Sequence, residues 1–444
     1  MYFNIRNKAI LVCLLAGFLQ TMGQPGDLDN LTPGELKMYA KSAMKSQDYY
    51  SAVTYLEKYS EIKKYDFNAL YDLAEMYRYS RNYEKARDLY EKIYTWKPDK
   101  YVLALFYYAQ MLKIGGEYEK ARNKFIEFRR AYDKRDEYRR LVRAEIDACE
   151  KAKEWKNEPE NVQFFLLDST VNSAHLDFSP MLQDNNTMIY SSLQEDSLGY
   201  YTPDNKPVSA FYYAEKKDDK WKGQGKWKPE FNLPGVHTGN GVFSNDREKF
   251  YFTRCEPNDN GRPVCAIFVS KKENGDWSVP EKLDERINMP RYTSTHPAWG
   301  IESKWNREVL YFVSDRPEGR GGLDLWYTMY DERKGHWREP KNLGGKINTV
   351  GDEMTPYYDM RTHTMYYSSN GMAGLGGQDI FKTSGERRKW STPQNIGYPL
   401  NTGADEYYYT LNPSNRKEGF LVSNREGGFA LTHPTCCFDI YYFI

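Results

Sequence analysis

Asp324, Asp379 and Asp439 each stand between a glycine-rich or polar loop and an apolar-aromatic segment, a placement in which carboxylates can ligate a metal or act as general acid and base. A structural role competes with that chemistry. Loops built on Gly321-Gly322 and Gly376-Gly377 expose many backbone N–H donors, and an aspartate that accepts them fixes the turn. Recurrence in several repeats is what a framework part would show, so the structural role is favoured. The six histidines, His175, His237, His296, His336, His363 and His433, are scattered. His175, His237 and His296 occupy similar repeat-opening positions, where Asp352 and Asp405 stand later in the chain, which points to hydrogen bonding rather than metal ligation. No GxSxG elbow, HExxH pair or phosphate-binding glycine loop occurs. The sequence therefore predicts no catalytic residue, no metal and no cofactor.

Cysteine chemistry is the remaining candidate. Cys255 and Cys265 bracket the segment CEPNDNGRPVC and are expected to form a disulfide that closes this loop. Adjacent Cys436 and Cys437 either bridge each other or lie buried as small hydrophobes. Cys149, on an expected helix, is read as free. Oxidising conditions are implied by residues 1–23, where Arg6 and Lys8 precede an apolar run from Ala9 to Leu19, the pattern of a secretory signal cleaved before Gln24.

These residues sit on a repeated unit. SDRPEGRGGLDLW from Ser314 returns as SSNGMAGLGGQDIF from Ser368 and, more loosely, as SNREGGFALTHPTCCFDIY from Ser423. Trp-x-x-Pro segments follow at Trp337 and Trp390, with a looser relative at Trp277. A period of about 50 to 60 residues is that of a four-stranded propeller blade, which cannot bury both faces alone. Strand pairs at Ile189, Phe250, Leu310, Met365 and Phe420 give five blades. The last blade ends after its third strand, and Asn161–Asn172, which aligns with the later NLGGKINT and NIGYPLNT turns, is expected to supply the missing strand and close the ring.

Residues 24–157 read differently, with apolar residues at helical spacing. Ala40, Ala74 and Ala109 recur in phase with Ala52, Ala86 and Ala121, the mark of paired-helix repeats. The expected architecture is an N-terminal tetratricopeptide-like α-solenoid (24–157) followed by a five-bladed β-propeller (158–444) closed by an N-terminal strand. In such arrays the first helices line a groove, here Lys37, Lys41, Tyr71, Glu75, Arg78, Phe106, Gln110 and Lys113, suited to an extended acidic or carboxylate-ended peptide. Arg129, Arg130, Lys134, Arg135, Arg139, Arg140 and Arg143 form a basic cluster, read as a solvated face in preference to an anion-docking patch. Lys plus Arg and Asp plus Glu number 62 each, so no general attraction for nucleic acid is expected.

The Gly-Gly loop, the DIY/DIF strand and the W-x-x-P-x-N-[LI]-G turn ending in Asn-Thr resemble the WD40-like propeller repeats related to TolB. With the preceding helical repeats and the PTCC.DIY ending, nearly the whole chain resembles the periplasmic part of outer-membrane-associated OmpA-family proteins of Bacteroidota, the PorE type of the type IX secretion and gliding apparatus among them. The resemblance implies an exported, non-catalytic adaptor, periplasmic and outer-membrane-associated, with periplasmic or outer-membrane proteins as partners. The OmpA-like domain that grips peptidoglycan in that family has no counterpart here. A glycan-binding or glycan-cleaving propeller, with Tyr and Trp rings as sugar platforms, is the alternative.

Overall fold

The computed structural model describes residues 28–194, 208–259 and 261–444. The expected leader, residues 1–23, lies outside the described residues. Seven antiparallel helices come first: α1 (Pro33–Ser46), α2 (Tyr49–Ile62), α3 (Phe67–Tyr79), α4 (Tyr83–Trp96), α5 (Val102–Ile114), α6 (Tyr118–Ala131) and α7 (Tyr138–Asn157). Polar caps start four of them. Thr32 and Glu35 form a reciprocal capping box, and the side chains of Asp48, Asp66 and Asn82 accept N–H bonds at the starts of α2, α3 and α4. The six in-phase alanines are all at most 1% exposed, so small residues set the close approach of paired helices. These helices form an α-solenoid of stacked helix pairs.

A short strand, β1 (Phe164–Leu166), leads into the propeller. Blade one is β2 (Asp177–Leu182), β3 (Thr187–Ser192), β4 (Ala210–Lys217) and β5 (Lys220–Lys226). Blade two has β6 (His237–Phe243), β7 (Lys249–Pro257), β8 (Pro263–Glu273), β9 (Asp276–Trp277) and β10 (Glu281–Lys282). Blade three has β11 (Ser294–Glu302), β12 (Arg307–Ser314), β13 (Asp324–Asp331), β14 (His336–Trp337) and β15 (Lys341–Asn342). Blade four has β16 (Glu353–Asp359), β17 (Thr364–Ser369), β18 (Asp379–Glu386), β19 (Lys389–Trp390) and β20 (Gln394–Asn395). Blade five has β21 (Glu406–Leu411), β22 (Gly419–Ser423) and β23 (Asp439–Phe443). Its fourth strand is β1, antiparallel to β23 with Phe164 opposite Phe443 and Leu166 opposite Tyr441. The ring is thus closed by residues from both ends of the propeller sequence, inside the segment the repeat alignment picks out.

In blades two, three and four the outer strand is split. The proline of each Trp-x-x-Pro segment falls in the gap between two two-residue pieces, because it has no N–H to give the ladder. A buried asparagine follows each outer strand and compensates. Asn232, Asn288, Asn348 and Asn401 each accept the N–H of a residue in the third strand (Phe211, Ile267, Leu325 and Ile380) at 2.7 to 2.9 Å. Each returns its amide N–H to the carbonyl of the same residue at 2.8 to 3.1 Å. Asn172 makes the same reciprocal pair with Ile440 across the closure, at 2.8 and 3.0 Å. Asn401→Ala would strand the N–H of Ile380 in a dry site and leave its carbonyl with the Ile396 N–H alone, and we expect a loss of roughly 1–3 kcal/mol in urea unfolding. Asn172→Ala should cost a similar amount and increase proteolysis near residue 160, because it also frees the closing strand.

Candidate functional site

The eight residues expected to line the helical groove do not form one open surface. Glu75, Phe106 and Lys113 are buried. Glu75 is bound by Arg78 at 3.0 Å and by the Tyr90 hydroxyl at 2.5 Å. Gln110 and Lys113 both reach Glu145 of α7, at 2.8 and 2.5 Å. Phe106 packs against Phe125, Phe128 and Tyr138. Tyr71 stacks on Tyr101 with centroids 5.6 Å apart, and Lys37 pairs with Asp66 at 2.8 Å. Of the eight, Lys41 alone is exposed. The first-helix positions are covered by the helices that follow, and above all by α7.

One edge of the solenoid is occupied by the propeller. The α3–α4 turn carries Tyr83, whose hydroxyl donates to Asp405 at 2.8 Å, and Arg81, which lies 4.3 Å over the Phe438 ring. Thr435 donates to the Arg81 carbonyl at 2.7 Å, and His433 Nε2 meets the Ser80 carbonyl at 3.1 Å. The α5–α6 turn abuts Gly403, where a Cβ would lie 2.2 Å from the Ile114 carbonyl oxygen. A Cys436–Cys437 disulfide sits in the same docking loop, and Cys255–Cys265 joins directly opposed residues of β7 and β8. Cys149 is free and buried.

The ring axis is filled. Every innermost strand carries a β-bulge whose residue adopts a left-handed backbone: Ser179, Asn240, His296, Thr355 and Tyr408, with φ between 47° and 55°. All five are buried. Tyr408 reaches across the axis from blade five to donate to Asn240 of blade two, its backbone N–H bonds Thr355 at 3.2 Å, and the His296 ring meets its edge at 5.6 Å. His237 is the histidine that aligns with Asp352 and Asp405. These three take an N–H from the preceding blade, from Ser209, Leu323 and Gln378, at 2.8 to 3.1 Å. The expected equivalence of His175 and His296 with them is off by one and three residues, which only the bulge positions reveal.

Asp324, Asp379 and Asp439 hold their loops as the donor-rich turns imply. Asp379 accepts from the N–H groups of Leu375 and Gly376 at 2.5 and 2.9 Å, and Asp439 from Phe429 at 2.8 Å. Each also faces an acid at the start of the neighbouring blade. Burial and then Asp324 push Glu353 up to about 8, burial and then Asp177 push Asp439 up to about 8, and burial with Asp379 pushes Glu406 up to about 7. Burial alone drives His237 down to about 4 and His296 to about 3. No group of three or more metal-ligating side chains occurs among the described residues.

The open site lies on the far edge of the solenoid. A groove of about 600 Å³ is lined by Glu57, Glu61, Lys64, Tyr65, Lys92 and Trp96 over a floor of Leu70, Leu73 and Tyr77. Tyr65 and Trp96 are 73% and 50% exposed, and their rings stack on each other with centroids 6.1 Å apart and planes at 20°. Lys92 lies 5.6 Å over the Trp96 ring. Glu57 is tied to Tyr77 at 2.5 Å and to Lys85 at 2.8 Å. Tyr65 lies in the α2–α3 turn and Trp96 is the last residue of α4, so neither belongs to the expected groove. The signal available was two large rings in otherwise polar turns.

No protein-family model matches the sequence, and no curated protein matches it. Solved structures resemble it in fold. An exo-β-1,3-galactanase from Clostridium thermocellum is 12% identical, with 62% of this chain and 61% of that one covered and a TM-score of 0.39. This chain thus spans less than two thirds of the galactanase. An α-L-arabinofuranosidase from Podospora anserina is 9% identical over 64% of this chain and 97% of that one, with a TM-score of 0.39. A GH93 α-L-arabinofuranosidase of Fusarium graminearum is 12% identical over 63% and 76%, with a TM-score of 0.36. Each is named as a glycoside-cleaving enzyme. This finding corrects the expectations of a non-catalytic adaptor and of a chain that is no enzyme, and neither is carried forward. The likeness itself is one of fold and assigns no reaction.

The buried acids set a pH dependence. Above pH ~6.5 the histidines of the unfolded chain are at most about half protonated, while folded Glu406, Glu353 and Asp439 still hold protons that unfolded carboxylates, with pKa near ~4, have released. Stability should therefore fall as pH rises from about 6.5 to about 8, by roughly 2–4 kcal/mol in chemical denaturation. Below that window the buried histidines oppose the trend. Glu353→Gln should flatten the slope.

Proposed function

We propose that the chain is an exported saccharide-binding protein whose binding site is the ring-lined groove at the far edge of the helical domain. The helix pairs are read as tetratricopeptide-like repeats and the blades as WD40-like, and the compartment as the periplasm. Two disulfides support an oxidising compartment.

The observation that carries the reading is the Tyr65–Trp96 pair. Two large rings left in water without burial are an unfavourable use of apolar surface unless something covers them. Their mutual stacking and the Lys92 cation hold both in place before a ligand arrives, so little side-chain entropy is lost on binding. Pyranose C–H faces pack on such rings, and the exposed Lys64 and Lys92 at the rim present donors to sugar hydroxyls.

Titration of the purified protein against immobilised oligosaccharides should give saturable binding that weakens about tenfold or more in Trp96→Ala, with the unfolding midpoint little changed because the ring is half exposed. Equal binding by Trp96→Ala, or no binding to any saccharide at millimolar concentration, would remove the proposal. Chromatography of the same mixtures after incubation reads out cleavage.

A further inference from the structure

The groove continues into a strip of positive charge, and that strip bears on the kind of saccharide bound; the inference rests on the saccharide-binding reading above. Turns within the helix pairs dock on the propeller. Turns between them, at residues 63–66, 97–101 and 132–137, lie on the opposite edge and face away from it. Contacts join the first two turns, where Tyr65 stacks on Trp96 and the Tyr101 hydroxyl donates to Asn68 at 2.7 Å, and the last turns of α4 and α6 meet where Tyr94 donates to Glu127 at 3.1 Å.

Segments 61–66, 96–101 and 129–140 together hold ten Lys and Arg against six Asp and Glu. Several of the acids are already committed. Asp66 is bound by Lys37 and the Tyr59 hydroxyl, both at 2.8 Å, and Asp136 by the Tyr132 hydroxyl at 2.5 Å. Six of the cations stand apart from any acid. Lys63, Lys64, Lys97, Arg129, Arg130 and Arg135 are exposed, and none forms an ion pair within 4.0 Å among the described residues. Adjacent packed helices lie about 10 Å apart, so successive turns are spaced by about 20 Å and the strip runs for roughly 40 Å.

We propose that this edge binds an anionic polysaccharide, its carboxylate or sulfate groups spaced along a chain that enters over the Tyr65 and Trp96 rings and runs to the arginines of the α6–α7 turn. Guanidinium groups pair bidentately with carboxylate and sulfate oxygens, which suits the arginine-rich end. The rings stack against each other at a groove instead of protruding as a wedge, which fits a slender chain better than a lipid surface.

The test uses the full chain with polygalacturonate and chondroitin sulfate, with the neutral glucans laminarin and dextran, and with phosphatidylglycerol vesicles. The acidic polymers should bind at least tenfold more tightly than the neutral ones, and binding should weaken about tenfold between 50 and 300 mM NaCl, as screening of exposed charges requires. Arg129→Gln/Arg130→Gln/Arg135→Gln should lose acidic-polymer affinity by tenfold or more with an unchanged unfolding midpoint. Lys63→Gln/Lys64→Gln/Lys97→Gln should do the same from the other end. Neutral glucans bound as tightly as acidic ones, with loss in Trp96→Ala, would overturn the charge inference and leave saccharide binding standing. Capture by vesicles without polysaccharide binding would overturn it in favour of a membrane surface. Failure to bind any saccharide would remove both.

Discussion

The reciprocal bond between a buried asparagine amide and a third-strand backbone is the constraint on which the propeller depends. A blade's third strand must satisfy its polar backbone on the outer side, yet the strand that should do this is interrupted by proline in blades two, three and four. The asparagine amide presents a donor and an acceptor at the spacing of a peptide group, so one side chain replaces one rung. At Asn172 the same rung carries more. It ties Ile440, four residues from the end of the chain, to a segment lying 268 residues earlier, and so converts a row of blades into a ring.

Closure decides where ligands can go. Once five blades are drawn together, the innermost strands crowd, and each absorbs the crowding in a bulge whose residue takes a left-handed backbone. Tyr408 then fills the axis and bonds across it. The blade junctions bury acid pairs that stay partly protonated, chiefly because burial penalises their charge and further because each faces a second acid. The axis and the junctions are thus filled with groups that satisfy one another. Space for a ligand is left on the outside, and the helical domain, held to the propeller by one edge, offers the other.

Repetition made most of the fold legible. In-phase alanines mark the helix pairs, the recurring strand pairs from Ile189 to Phe420 mark five blades, and the aligned Asn-Thr turns mark the closing segment. The copy at Trp227-Lys-Pro-Glu-Phe-Asn232 escaped notice because its spacing from Trp to Pro is one residue shorter, though Asn232 makes the same bonds as the others. The bulges had a trace in sequence, since Ser179, His296 and Thr355 each precede a proline. The expected groove lining is covered for a physical reason. Helical periodicity tells which face of α3 or α5 is apolar, but the cover over Gln110 and Lys113 comes from Glu145 on α7, a tertiary contact that no local pattern encodes.

Composition misleads in a similar way. Equal numbers of acidic and basic residues describe a chain with no net field, and that excludes attraction governed by total charge. It says nothing of how the charges are sorted by folding. Acids are drawn inward, where Asp177, Asp324, Glu353, Asp379, Glu406 and Asp439 accept backbone and hydroxyl donors, and there several are partly neutralised by burial. Lys63, Lys64, Lys97, Arg129, Arg130 and Arg135 in and beside the turns are exposed instead, while Asp66 and Asp136 nearby are bound to tyrosines and Lys37. Burial of carboxylates in the propeller therefore leaves an excess of cations elsewhere on the surface. On the far edge of the solenoid those cations stand beside two uncovered rings, Tyr65 and Trp96.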